Sequence, residues 1–596
     1  MKSVASSLTG CIKGSVTALF LLLAIFIGCR VSAARTEYVY EYNDGILTKI
    51  REDNSTARLI VAEFEDDGTF KTCSLSSLDM DLGDTISLQE YEDTGNFKIY
   101  VWDDLNGMQP LSAAIDTKSD TPIYGIRINR LTGECSRIEA AKNLQNDYMV
   151  GDEYALNGGV NDFDACYPWS DIKLCNVSTE GVVTYHDYPT FDRYGKNGDV
   201  MVEIPKFYSY RSVEDNYETI LISEYKHPGF RCEPMFLDSN NKELDRVYIG
   251  AYATKDGRSY SGVLPRAGYT MEKHQQMARA RNADIYSVDC WSAIQKLVSI
   301  EFGTINMSSH LNGIGDFIYR GGVTATKAYD STNEAYFEGE ISSGICKLEV
   351  GDWIAIDTGT ISYNNRQVTD IEYIGYDTET KKYEYRIAFS GDPVSVKIVR
   401  TYLYSTGQPS GLTDNIEYHT GRVKRKNNID GDLSDNMCAQ FKYRHMEGLW
   451  GNVWTQLGGI KIKNKTYYYT KNCDYYCSEI DENWQAVGFS APVQNHYPST
   501  DHPWIVNMGF DEKLPLLALP SVVGADNGGG ASAFYGDGFY SYYDEDQKGA
   551  ALDTDTEWCA ISGGGWDHLD KNGPYAIRFW SEDGKSWLYG SRLVRY

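Results

Sequence analysis

A chain of 596 residues is too long for one core, so roughly two to four domains are expected. Its 84 acidic against 56 basic residues leave a formal charge of −28, which excludes nucleic-acid phosphate as a partner. With 42% hydrophobic residues, 46 Tyr and 55 Gly, the composition reads as globular, β-rich and full of turns.

The N-terminus reads as a targeting segment over 1–34. Lys2 and Lys13 precede an apolar run from Val16 to Ile27, and Val31-Ser32-Ala33 supplies a small-residue cleavage site before or at Ala34. The run is short for a bilayer span. Lipidation of Cys29 and an uncleaved anchor are the other two readings, so a membrane tie is expected only through this segment. Export to an extracellular or cell-surface location follows from the first reading. Thirteen cysteines are present, and without Cys11 and Cys29 an odd, widely spread set remains. That is no dense disulfide framework. Cys473 and Cys477 form the one close pair, open to a local disulfide. A zinc site would need two more ligands, and none lies nearby in sequence.

Residues 35–115 alternate polar and apolar positions. Leu59 to Phe64 and Phe97 to Trp102 read as strands, with Asp66-Asp67-Gly68 and Asp93-Thr94-Gly95 as turns, giving a small all-β sandwich. The run Trp102 to Leu111 resembles the ending of β-modules repeated in secreted bacterial surface proteins, which implies a stalk or spacer. Residues 112–121 read as a linker.

A second unit is expected from Pro122 to the end. Tyr124 to Ile128 and Gly198 to Tyr208 are patterned strands. Thr270 reads as the cap of a polar helix over 271–283, with Glu272 in its first turn. Ser287 caps a second helix, in which Trp291, Ile294, Leu297, Val298 and Phe302 recur at helical spacing, as a core stripe would. Residues 313–435 read as a β-rich insertion with a barrel-like part near 330–402. Within it Lys424-Arg425-Lys426 reads as a solvated loop. Asp537 to Tyr543 reads as a loop or edge strand. Two helices beside long β regions give an α+β fold class for this unit.

The last stretch carries the candidate site. Gly563-Gly564-Gly565-Trp566 opens it and Gly590-Ser591-Arg592-Leu593 closes it. Between them lie Asp567, His568, Asp570, Lys571, Arg578, Trp580, Glu582, Asp583, Lys585, Trp587 and Tyr589. Aromatic and Arg side chains bury large area and still offer a polar handle, as binding hot spots do. The carboxylates and amines add directional hydrogen bonds. An ordinary terminal hairpin with a solvated polar face is the competing reading, and Tyr575 fits either face or core.

These motifs resemble the variable region of C-type-lectin-fold proteins diversified by retroelements. Val202-Glu203-Ile204-Pro205-Lys206-Phe207-Tyr208 and Gly451-Asn452-Val453-Trp454 resemble the sulfatase-modifying-factor type of that fold. The resemblance spans 122–596, interrupted by the insertion. It implies a non-catalytic binding face at 567–589, taking a surface protein or a glycan, and a homo-oligomer for avidity. A phage receptor-binding protein of the same fold is one alternative, and a secreted enzyme is the other. Formylglycine-generating members use two cysteines near the C-terminus, and here only Cys559 stands there. His496 and Asp501-His502 make a weak ligand set. No nucleophile elbow, phosphate loop or dinucleotide fingerprint occurs. Asp567, Asp570, Glu582 and Asp583 leave a glycosidase pair open. No cofactor is expected, and calcium lacks an Asp-x-Asp-x-Asp-Gly loop to hold it.

Overall fold

The computed structural model describes residues 38–596 except 44–45, 53–56, 65–69, 89–90, 92–96, 104–110, 113–114, 117–120, 147–160, 228, 266, 308–309, 312, 314–321, 427–432, 493–503, 525–533, 536, 538, 541–542, 545–548, 551–553, 566–571, 582–585 and 587. The expected 1–34 targeting segment, His496, Asp501 and His502 lie outside the described residues. The chain forms two compact units, Met1–Thr121 and Pro122–Tyr596.

In the first unit Ala57–Phe64 is flanked by Phe70–Leu78 and Phe97–Trp102, and a separate three-stranded sheet holds Tyr40–Asn43, Ile46–Lys49 and Thr85–Ser87. Alternation buries Leu59, Val61, Ile99 and Val101 in one core. The expected linker is part strand: Ile115–Asp116 pairs with Lys98–Ile99, which buries Ile115.

The α+β expectation for the second unit is overturned. Among the described residues strand makes up 47% and helix 11%, with two α-helices, so the fold is β-rich. The reason lies in the Tyr-, Val- and Ile-rich alternation, which pairs into sheets nearly everywhere. Helix α1 spans Met271–Arg279, where the Thr270 hydroxyl accepts from the Lys273 amide. Helix α2 spans Val288–Phe302, where the Ser287 hydroxyl accepts from the Cys290 amide and Gly303 (φ 68°) ends it in the left-handed region. All residues of α2 are buried, not only the apolar stripe. Its Lys296 meets Glu233 at 2.5 Å with both side chains sealed from solvent.

Helix α2 packs in the main core against Trp454–Lys463, Leu514–Gly524 and Ile123–Asn129, and two sheets carry the C-terminal segments. One runs Val183–Tyr185, Lys173–Val177, Asp199–Pro205, Arg246–Gly250, Leu593–Arg595, Asp284–Ile285. The C-terminal strand is therefore internal, with Val594 opposite both Ile249 and Asp284. The other main sheet is the terminal one. It runs Gln485–Ser490, Thr466–Tyr469, Trp454–Lys463, Trp558–Ser562, Ile577–Ser581, Phe539–Tyr540, and Tyr589–Gly590 adds parallel to Trp454–Thr455.

The insertion closes into a six-stranded barrel: Val323–Ala325, Glu334–Glu340, Lys382–Phe389, Ser362–Asp377, Trp353–Asp357, Tyr402–Ser405. Closure leaves no open edge. Its own core holds Phe337, Ile354, Ile356, Tyr385, Ile387 and Leu403. Lys424, Arg425 and Lys426, expected in a loop, instead belong to the Gly421–Lys426 strand, which pairs with Leu433–Tyr443.

Candidate functional site

The terminal sheet positions the candidate face. Along Ile577–Ser581 the two-residue period sends Ile577 and Phe579 into the core and leaves Arg578 and Trp580 partly exposed on the other side. Register places Trp580 opposite Cys559 and Arg578 opposite Ile561. Gln456 lies opposite Ile561 on the next strand. The Arg578 guanidinium carbon sits 4.5 Å from the Trp580 ring centroid and 5.9 Å from that of Tyr589. Trp580 and Tyr589 meet edge to face at 5.9 Å. Cation–π and edge contacts of this kind hold the three side chains as a group.

Three of the eleven candidate residues, Arg578, Trp580 and Tyr589, are thus brought together. Tyr589 is 3% exposed and forms a floor with Trp454 and Ile561. Asp567, His568, Asp570, Lys571, Glu582, Asp583, Lys585 and Trp587 lie outside the described residues. Tyr575 belongs to the core, its hydroxyl 2.6 Å from that of Ser299.

The segments that flank those residues are pinned. Gly563 and Gly564 have φ of 89° and 79°. A Cβ on Gly563 would lie 2.7 Å from the Leu449 carbonyl oxygen, so only glycine passes there. The Gly563 amide donates to Ala576 O and its carbonyl accepts from the Gly451 amide. Asn572 Nδ2 donates to Gly565 O at 2.8 Å, and the Tyr575 amide donates to Asp537 Oδ2 at 2.6 Å. On the far side Leu588 O accepts from the Trp454 amide. Arg592 is fully buried and donates to the carbonyls of Gly250, Glu447 and Gly448 at 2.6, 2.6 and 3.0 Å. Burial pulls its pKa down to about 10. The closing motif is therefore a brace inside the fold.

A shallow concavity opens on this face, walled by Met271, Gln456, Cys559, Ile561, Trp580 and Tyr589. Gln456 donates through Nε2 to Tyr269 O, while its buried Oε1 has no hydrogen-bond partner. Such an acceptor suits a hydroxyl or N–H donor. Met271, Gln456 and Cys559 were missed in the sequence. The signal for Gln456 was its two-residue spacing from Trp454; Met271 carried none, because it arrives from the start of α1.

Elsewhere the titratable clusters are structural. Arg444 and His445 form a two-residue turn with φ of 45° and 69°, a geometry that usually takes Asn-Gly. Arg444 binds Glu301 at 2.6 Å and Asp164 at 2.8 Å, and His419 Nε2 lies 2.8 Å from Asp164. The cationic and hydrogen-bonding neighbours hold Asp164 down to about 2 against the opposing effect of burial. Cys473 and Cys477, open to a disulfide in the sequence, are not joined to each other. Burial raises the Cys473 thiol to about 11, so it stays protonated and unreactive at neutral pH. Among the described residues no group of three or more His, Cys, Asp or Glu is placed to hold a metal ion, and no helix is long and apolar enough to cross a membrane.

Comparison of the chain with protein-family models gave no match, and comparison with curated proteins gave none either.

Proposed function

We propose that this chain is an exported, non-catalytic binding protein whose C-terminal face, 567–589, recognises a protein or glycan at a cell surface. The observation that carries the reading is a division of labour. Gly563 and Arg592 bracket the segment and are locked into the core by backbone contacts. Arg578 and Trp580, between them, are partly exposed, with Trp580 resting on the Trp454, Ile561 and Tyr589 cluster. A frame of this kind fixes the geometry of a face and leaves its side chains interchangeable. The motif resemblance to retroelement-diversified binding proteins points the same way, and templated variation of this stretch is part of the proposal.

The test compares the chain from residue 35 with a variant carrying Arg578→Ala, Trp580→Ala, Lys585→Ala and Trp587→Ala on an array of glycans and on bacterial surfaces. A specific signal lost in a variant that melts like the parent supports the face. Equal binding by both proteins sinks it.

A further inference from the structure

The outer end of the barrel presents three aliphatic side chains to solvent. Ile361, Ile398 and Val399 are 54%, 52% and 64% exposed. They sit on two adjoining turns, because Asp357, just before the first, pairs with both Ser362 and Tyr402. A Cβ on Gly359 would lie 3.5 Å from Arg400 O. The opposite end of these strands attaches to the rest of the domain: the Trp353 amide donates to Gln408 Oε1, and the Gln408 amide donates to Asn452 Oδ1. The turns therefore lie at the barrel end away from that attachment.

Val399 has φ of 58°, the left-handed region that β-branched residues avoid. Its conformation is over-determined. The Val399 amide donates to Ala325 O, the Thr401 amide to Lys397 O, and the Lys397 amide to Thr401 Oγ1. Asn or Gly would sit there with less strain, so the exposed valine side chain is held at a conformational cost. Lys397 and Arg400 flank the aliphatic pair. The one carboxylate within the two turns, Asp357, is buried and accepts from the Gly359 amide.

We infer that this aliphatic tip, ringed by Lys397 and Arg400, docks into the headgroup–acyl boundary of a bilayer carrying anionic lipid. The exposed side chains of the two turns are aliphatic and cationic, with no fully exposed aromatic to anchor a folded partner. A fluid apolar phase needs no shape match, and the two cations complement anionic headgroups above it. The chain's overall negative charge does not oppose this, because charges beyond about 8 Å are screened at physiological salt.

The experiment sediments the full chain from residue 35 with vesicles of phosphatidylcholine, alone or mixed with phosphatidylglycerol. The wild type is expected to partition onto the mixed vesicles, less so as salt rises. Ile398→Ser with Val399→Asn, and separately Lys397→Glu with Arg400→Glu, are expected to weaken partition roughly tenfold or more. Val399→Asn alone is expected to melt at or above the wild-type temperature, which shows that lost binding is not lost folding. A wild type that stays in the supernatant, or variants that bind as well as it does, overturns the inference. So does light scattering that shows the wild type self-associating through the tip while no vesicle binding occurs.

Discussion

Replacing Arg592 by Met keeps most of the side-chain volume and removes the guanidinium. Its hydrogen bonds to the carbonyls of Gly250, Glu447 and Gly448 are each worth about 1.5–3 kcal/mol, as expected with a charged donor. Against this stands the cost of burying the charge. A pKa pulled down to about 10 corresponds to about 3 kcal/mol at about 1.4 kcal/mol per unit. The net expectation is a loss of about 3 kcal/mol, and a fall in melting temperature of about 3 °C for a unit of this size. Arg592→Lys keeps a charge that reaches one or two of the three carbonyls, and should lose about half as much. Tryptophan fluorescence is the assay, because of the 12 tryptophans only Trp102 precedes Pro122 and the rest report the second unit. If Arg592→Met melts within a degree of wild type, the brace argument fails.

Three further outcomes follow from the same geometry. Burial raises the Asp537 carboxyl well above the usual range, and its Oδ1 has no partner. A raised acid contributes fully in acid and loses that contribution as pH rises above about 4 through its folded-state value. Asp537→Asn should therefore raise the melting temperature near pH 8 and flatten its pH dependence; a lower melting point at pH 8 would contradict this. Gly563→Ala should destabilise by about 2 kcal/mol or more, through positive φ and the 2.7 Å approach to Leu449 O, read in the same melt. Lys296→Met alone strands Glu233 and should cost about 3–5 kcal/mol. Adding Glu233→Gln should recover much of it, and strictly additive losses in the double variant would rule out the pair as a coupled unit.

Local signals carried well from sequence to structure. Thr270 and Ser287 cap the two helices because their hydroxyls meet the amides three residues on. The alternation at Phe97–Trp102 and Asp199–Pro205 yields strands. What depended on pairing across the chain was less legible. The α+β expectation fails because helical caps and periodicity are local signals, whereas short strands such as Asp284–Ile285 exist only through a distant partner, Leu593–Val594. The Lys424–Lys426 triplet looked solvated because charge masks a strand whose partner begins only at Leu433. At the candidate face, Arg578 and Trp580 were legible as i and i+2 in one strand. The concavity was not, since Met271 and Gln456 reach it from other elements.

The strand Leu593–Arg595 fills an internal slot between Arg246–Gly250 and Asp284–Ile285. Synthesis reaches it about 300 residues after both neighbours, so neither can complete its ladder until Leu593–Arg595 has emerged. A stop codon or a frameshift anywhere in 566–589 removes the strand and Arg592 together, and leaves the sheet split with apolar edges exposed to quality control. The sheet therefore closes only when the stretch before this strand has been translated in frame, whatever side chains that stretch carries.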